Sequence, residues 1–234
     1  MADGPVLLIT GASSGIGAAT ARRAVQAGRR VALAARSEDR LSELASELGG
    51  EDTALAVRCD VTDWDDVQRA VSETREHFGA IDAVLANAGF GASRGFLEES
   101  VEHWRSMVET NVLGVALTIR AALPVMLEQD RGHMLLLGSV AGRRALPGSL
   151  YSATKFAVTA MGEGLRQELR SMHDNQTIKV TLIEPGMVDT PFFDNRPEGA
   201  LEAGDIANAI AFALDQPSHV DVNEILVRPI GQPV

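Results

Sequence analysis

The chain has 234 residues, 45% hydrophobic and 23% charged, with a formal net charge of -11. At that length one core can bury roughly 70–75% of the surface an unfolded chain exposes, which favours a single globular domain and excludes a disordered or fibrous protein. The acidic balance repels a phosphate backbone and so excludes nucleic acid as a partner, while the lone Cys59 excludes both an intramolecular disulfide and a cysteine zinc site.

Met1-Ala2-Asp3-Gly4-Pro5 carries no basic leader, and it runs into a first strand predicted at Val6–Thr10. A glycine turn follows, and Ala18-Ala19-Thr20-Ala21 begins a helix. Strands are predicted at Arg30–Ala35, Ala54–Arg58 and Ala83–Asn87. Between them Leu41, Leu44, Ala45 and Leu48, and then Trp64, Val67, Val71 and Phe78, recur at helical spacing. Ser100 is the predicted N-cap of a long helix through Trp104, Met107, Val108 and Val115 towards Pro124. A strand at His133–Ser139, a helix from Tyr151 to about Met172 and a strand at Lys179–Glu184 come next. From Gly186 to Ala203 the rhythm breaks, with Pro191, Phe192, Phe193 and Pro197 marking a loop or lid, the substrate loop being about 187–203. Helix Asp205–Leu214 and strand Ile225–Arg228 close the chain. Alternating strands and helices mean an α/β fold: one doubly wound, Rossmann-type parallel sheet of about seven strands with helices on both faces, residues 1–234 forming one domain. No apolar run approaches the roughly 20 residues of a bilayer span, so a cytoplasmic protein with no membrane partner is expected.

The glycine turn reads Thr10-Gly11-Ala12-Ser13-Ser14-Gly15-Ile16-Gly17. Glycines let backbone approach a pyrophosphate, and the orphan N–H groups of a helix start favour its charge. The spacing departs from G-x-G-x-x-G, since Thr20 stands where the third glycine would fall, so the loop is either a nucleotide cradle or a plain βα turn. At the end of the second strand, where a carboxylate would accept from a ribose hydroxyl, stands Ala34-Ala35-Arg36-Ser37. Arg36 presents a permanently charged fork suited to a 2′-phosphate, which favours NADP(H) over NAD(H), unless it is one more solvated arginine. Asp60 can accept from an adenine amino group with Val61 against the ring, or be a structural residue flanking a helix. Asn87-Ala88-Gly89 sets small residues where a ribose passes close to backbone, or is only a turn.

Tyr151 and Lys155 are four residues apart on a helix and share a face. An adjacent ammonium is expected to stabilise the phenolate and lower the pKa of the phenol. The chain has one tyrosine, and of its 21 basic residues only Lys155 and Lys179 are lysines. Chance would set a lysine four after the sole tyrosine in roughly 1% of arrangements, although a structural pair is the alternative. Ser139, expected at the carboxyl edge of its strand, can hold a substrate oxygen or satisfy local backbone. Asn111, inside an apolar helical run, can hold a water that relays protons or bond a neighbouring carbonyl. Met187, Phe192, Phe193 and Leu146 offer apolar walls. Arg94, Arg143 and Arg144 either attract an acidic substrate or are solvated. The five histidines form no metal motif, so no metal is expected.

Over nearly its whole length and in the same order, the chain resembles the short-chain dehydrogenase/reductase family, in particular its NADP(H)-preferring bacterial members. Thr10 to Gly17 resembles the family's own glycine motif, Asp60-Val61 its adenine contact and Asn87-Ala88-Gly89 its mid-chain signature, although Ala86 stands where a first Asn is usual. The resemblance implies a tetrad of Asn111, Ser139, Tyr151 and Lys155, with Tyr151 as general acid/base, Ser139 orienting the reacting oxygen and Lys155 also holding the nicotinamide ribose. It implies that Pro185-Gly186-Met187-Val188-Asp189-Thr190 borders the nicotinamide, with the Val188 backbone and Thr190 hydroxyl meeting its carboxamide. It also implies a homotetramer or homodimer pairing the two long helices, and a small carbonyl or alcohol substrate. The alternatives are a non-catalytic NADP(H)-sensing protein and an NAD(H)-dependent alcohol dehydrogenase of the same family; a lyase or epimerase fits poorly with so short a segment after Gly186.

Overall fold

The computed structural model describes residues 4–147, 149–193 and 198–232; Pro197, expected in the loop, lies outside them. Val6–Thr10 is β1, and all five of its residues are buried because both faces of the strand are covered. Leu7 and Ile9 point into one apolar cluster and Val6 and Leu8 into the other, as the period of two in a strand requires. The chain continues with α1 (Gly15–Gln26), β2 (Arg30–Ala35), α2 (Glu38–Glu47), β3 (Ala54–Arg58), α3 (Trp64–Phe78) and β4 (Ala83–Ala86). Next come α4 (Val101–Val108), α5 (Gly114–Gln129), β5 (Gly132–Leu137), α6 (Leu150–Ser171) and β6 (Ile178–Pro185). The short strands β7 (Val188–Asp189) and β8 (Leu201–Glu202), then α7 (Ala203–Leu214) and β9 (Glu224–Val227), complete the fold.

Seven strands form one parallel sheet in the order β3-β2-β1-β4-β5-β6-β9. Helices α1, α2 and α7 cover one face, giving Ala18, Leu41 and Ile206 to its core. Helices α3, α5 and α6 cover the other with Val67, Val115 and Val158. The order reverses between β1 and β4, so the connections from their carboxyl ends leave in opposite directions and open a crevice, where doubly wound sheets take ligands.

Several expected boundaries move for identifiable reasons. β4 stops at Ala86, since the Asn87 amide donates to Thr10 Oγ1 at 3.0 Å instead of to a ladder partner. β5 stops at Leu137, where Gly138 N folds back on Leu136 O. β6 gains a residue at each end, β9 begins and ends one residue earlier, and α7 starts at Ala203 because the Glu202 amide is bonded by Asp205 Oδ2 at 2.9 Å. The long helix begins as expected, Ser100 Oγ accepting from His103 N at 3.1 Å, but it runs past Pro124 to Gln129 and a π-helical turn, Glu109–Leu113, divides it. Contrary to expectation, Val101–Gln129 is by length and composition apolar enough to cross a membrane. Its apolar residues point two ways: Met107, Val115 and Met126 are buried, while Val108 and Leu113 face outward. The segment after Gly186, expected as loop, holds the two-residue parallel pair β7-β8, with Val188 opposite Leu201 and Asp189 opposite Glu202.

Candidate active site

The crevice is a cleft of about 300 Å³. Its floor is the turn between β1 and α1. Gly11, at φ 65°, is needed there, because a Cβ would lie 2.8 Å from Ala88 Cα; at Gly17 one would lie 2.5 Å from Gly11 O. Gly15 has φ 54° and faces Thr190. Glycine therefore lets three backbones meet with room for a ligand's phosphates. Ser13, Ser14, Gly15 and Ile16 line the cleft. Ser14 is the N-cap of α1 without a capping bond, which leaves its hydroxyl and the first amides of the helix to a ligand. Gly17 lies beneath the cleft, against Gly11 and Asn87.

Arg36 and Ser37 line the β2 end of the same cleft. Arg36 is exposed and has no ion pair or hydrogen bond among the described residues, and Ser37 caps α2 without a side-chain bond. Asp60 and Val61 line it from β3. Asp60 uses Oδ1 on Thr62, accepting from the amide at 3.0 Å and the hydroxyl at 2.8 Å, so it has a structural bond and a second oxygen to offer. Val61 is buried against Gly114, where a Cβ would come within 2.8 Å of it. Asn87, Ala88 and Gly89 complete the wall. The Asn87 side chain donates to Thr10 O at 2.9 Å and Gly11 O at 3.1 Å, so it braces the loops after β1 and β4.

Behind Leu137 and Phe192, which line the cleft, β5 and α6 bring Ser139, Tyr151 and Lys155 together, though none of the three lines the cleft itself. Ser139 Oγ accepts from Ala141 N at 3.1 Å, donates towards Pro185 O at 3.4 Å and shares a hydrogen bond with the Tyr151 phenol. Lys155 is buried; its Nζ donates to Leu137 O at 2.8 Å and lies 5.7 Å from the Tyr151 ring centroid. The phenol shifts opposite to expectation. Burial pushes Tyr151 up to about 12, against the opposing pull of the Ser139 bond, and burial brings Lys155 down to about 8. Desolvation outweighs attraction because the ammonium is directed at the Leu137 carbonyl rather than at the phenol. Asn111 is buried in the π turn, where its Oδ1 accepts from Phe90 N at 3.0 Å and its Nδ2 donates to Phe90 O at 2.8 Å and Thr154 Oγ1 at 3.2 Å. The bond to Phe90 O is the carbonyl-bonding role, one of the two read from the sequence.

Pro185 and Gly186 lie at the end of β6, where Gly186 N donates to Val227 O at 2.7 Å. Val188 is buried on β7, and Thr190 lines the cleft opposite Gly15. Phe192 reaches back: its ring packs edge-on against Tyr151 at 5.5 Å, and a Cβ on Gly91 would lie 2.5 Å from it. Arg143 is exposed, but its guanidinium is engaged, as its Nε bonds Glu184 at 2.6 Å and its other arm holds Glu224. Sequence reasoning placed Thr10 in the glycine turn but missed its brace, the hydroxyl accepting from the Asn87 and Ala88 amides, and it missed Gln232, whose Oε1 accepts from Met187 N at 2.8 Å. A threonine ending a strand before a glycine turn was a usable signal for the first. Nothing local marked the second. Among the described residues no group of His, Cys, Asp or Glu is placed to hold a metal.

A parallel sheet whose order reverses over a glycine-lined crevice, with donors for phosphate at one end and a Ser-Tyr-Lys group at the other, defines a Rossmann-type nucleotide-binding oxidoreductase. The short chain dehydrogenase profile matches residues 5–200, and the chain belongs to that family. It is 42% identical over 231 residues to an uncharacterized oxidoreductase of Staphylococcus saprophyticus, covering 96% of this chain and 97% of the other. Among solved structures it resembles an alcohol dehydrogenase of the archaeon Thermococcus sibiricus complexed with 5-hydroxy-NADP, with 33% identity, TM-score 0.87 and 98% of each chain covered. It also resembles a 3-ketoacyl-(acyl-carrier-protein) reductase of Brucella melitensis complexed with NADH, with 29% identity, TM-score 0.88, and 98% and 99% covered. These complexes support a nicotinamide cofactor here.

Proposed function

We propose that the chain is an NADP(H)-dependent oxidoreductase that moves a hydride between the nicotinamide and a carbonyl or alcohol carbon, with Tyr151 as general acid/base. The observation that carries this is the Ser139-Tyr151-Lys155 group beside a crevice whose glycines leave space that side chains would fill. Bound nicotinamide supplies the hydride. At neutral pH the phenol keeps its proton and Lys155 is an ammonium, so the site is charged to protonate an oxygen that turns into an alkoxide. Ser139 shares that oxygen with the phenol and polarises it. Lys155 orients the ribose and supplies the cation an ionised phenol needs, and the π turn around Asn111 leaves backbone carbonyls able to hold a relaying water. Pro185, Gly186, Val188 and Thr190 border the nicotinamide, and Phe192, on the 187–203 segment, shields the phenol from water. If Tyr151→Phe retains turnover of a carbonyl that the parent reduces, the assignment fails.

The 2′-phosphate preference rests on Arg36, unpaired at the end of a strand that carries no carboxylate. The Brucella relative's NADH complex favours the NAD(H) reading. Measuring both dissociation constants by fluorescence in the parent and Arg36→Ala decides between them: NADPH binding should weaken about tenfold or more and NADH binding should hardly change. We further propose a cytoplasmic homodimer or homotetramer pairing α4-α5 and α6, whose outward face carries Val108, Leu113 and Phe156. Sedimentation of Phe156→Asp, expected to dissociate, tests the pairing.

A further inference from the structure

Beside Gly138, at the carboxyl end of β6, stands a carboxylate for which the proposed reaction has no use. Glu184 is 1% exposed, and a carboxylate survives in an interior only with a partner. The partner is Arg143, whose Nε bonds Glu184 Oε1 at 2.6 Å while the far side of the guanidinium bonds Glu224 on β9. Burial raises the Glu184 carboxyl; the bond and charge of Arg143 pull it back, Glu224 adds to the rise, and Arg166 on α6 opposes it. A carboxylate held this way is costly, and its place in the chain says what it does.

Arg143 follows the single 3₁₀ turn Val140–Gly142, which Ser139 caps by accepting from Ala141 N. Glu184 precedes Pro185, whose carbonyl faces the Ser139 hydroxyl at 3.4 Å. The two segments are thus joined twice, by Ser139 to Pro185 and by Arg143 to Glu184, and the joints close a ring around the turn. Glu184 also packs on Gly138, where a Cβ would sit 3.2 Å from its Cγ. Gly138 lies between Leu137, which anchors Lys155, and Ser139. Movement of the carboxylate would therefore reach both the serine and the carbonyl that aims the lysine.

We propose that Arg143 and Glu184 are positioning residues for the reaction: clamped across the ends of β5 and β6, they hold the Ser139 hydroxyl and the Pro185–Gly186 backbone in the geometry that Tyr151 needs. The proposal rests on the acid/base reading above. Glu224, itself exposed, engages the second arm of the guanidinium and fixes its orientation towards Glu184.

The test uses the full-length protein with NADPH and NADH, and phenanthrenequinone, cyclohexanone and ethyl acetoacetate as oxidants. Arg143→Met combined with Glu184→Gln removes both charges together and strands neither, so the variant is expected to fold. Its kcat should fall about 10–100-fold, the loss that small misplacements produce, while the cofactor dissociation constant stays within about twofold. Arg143→Lys keeps the buried carboxylate paired but cannot span Glu184 and Glu224 at once, so kcat should drop about three- to tenfold. Wild-type kcat in the double variant overturns the proposal, as does a loss of kcat matched by equally weakened cofactor binding. Full turnover in Arg143→Lys overturns it even if the double variant does not fold. Tyr151→Phe separates the two levels: an inactive Tyr151→Phe beside a fully active double variant sinks the positioning pair alone, whereas an active Tyr151→Phe sinks the reading beneath it.

Discussion

Replacing Lys155 by Met removes the ammonium and fills nearly the same space. The Nζ lies 5.7 Å from the Tyr151 ring centroid; at an effective dielectric of about 20, unit charges at that distance attract by about 3 kcal/mol, or about two pKa units. A phenol already held up to about 12 by burial would rise further. Alcohol oxidation, which needs the phenolate to take a proton, should slow about 100-fold in kcat/KM near neutrality. The parent should also show a second limb. Burial brings Lys155 down to about 8, so the ammonium is complete below that pH and is lost as the pH rises through it. Any rate that depends on it falls accordingly, and Lys155→Met should lack that limb. Initial rates at about 340 nm, with saturating cofactor from about pH 6 to pH 10, measure both effects. A Met variant within about threefold of the parent, with the same limb, would refute the electrostatic role.

Gly17→Ala sets a Cβ 2.5 Å from Gly11 O and 2.8 Å from Asn87 Nδ2; a loss of about 1–3 kcal/mol in urea unfolding, with weakened cofactor binding, is expected. Asn111→Ala strands the part-buried Phe90 amide and carbonyl, and should cost about 1–2 kcal/mol in the same assay. His133 is buried on β5 with Nε2 bonded to Thr181 Oγ1 at 2.7 Å, and burial holds it down to about 3. Its folded value lies below the unfolded one, so the stability of the neutral ring is present above about pH 6.5 and drains away as the pH falls towards 3. Urea midpoints should imply about 3 kcal/mol lost by about pH 4.5, and His133→Leu should escape most of that loss. An equal acid loss in both proteins would count against this account.

The strands were legible because each is a short apolar run covered on both faces; β1, β2 and β3 fall where the sequence predicts. Their ends were less so, since Asn87 and Gly138 leave the ladder for bonds to Thr10 and Leu136 that no local pattern announces. The π turn stayed hidden inside an unbroken helical spacing, and Pro124 suggested a stop that packing overrides. At the site, chemistry-bearing types at fixed spacing, Tyr151 with Lys155 above all, were readable because one helix sets their geometry. The sign of the phenol's shift was not, because it depends on how deeply α6 is buried. Nor was the partnership of Arg143, whose carboxylates lie 41 and 81 positions away along the chain.

The brace between Thr10 and Asn87 has a consequence for cofactor exchange. Four polar contacts, from Thr10 and Gly11 to Asn87 and Ala88, pin the two diverging loops to each other from within the protein, so a dinucleotide meets a cradle the protein's own bonds hold in shape. Little ordering entropy is then charged to each arrival, and spent cofactor can leave and fresh cofactor take its place without the sheet edge having to fold anew at every turnover.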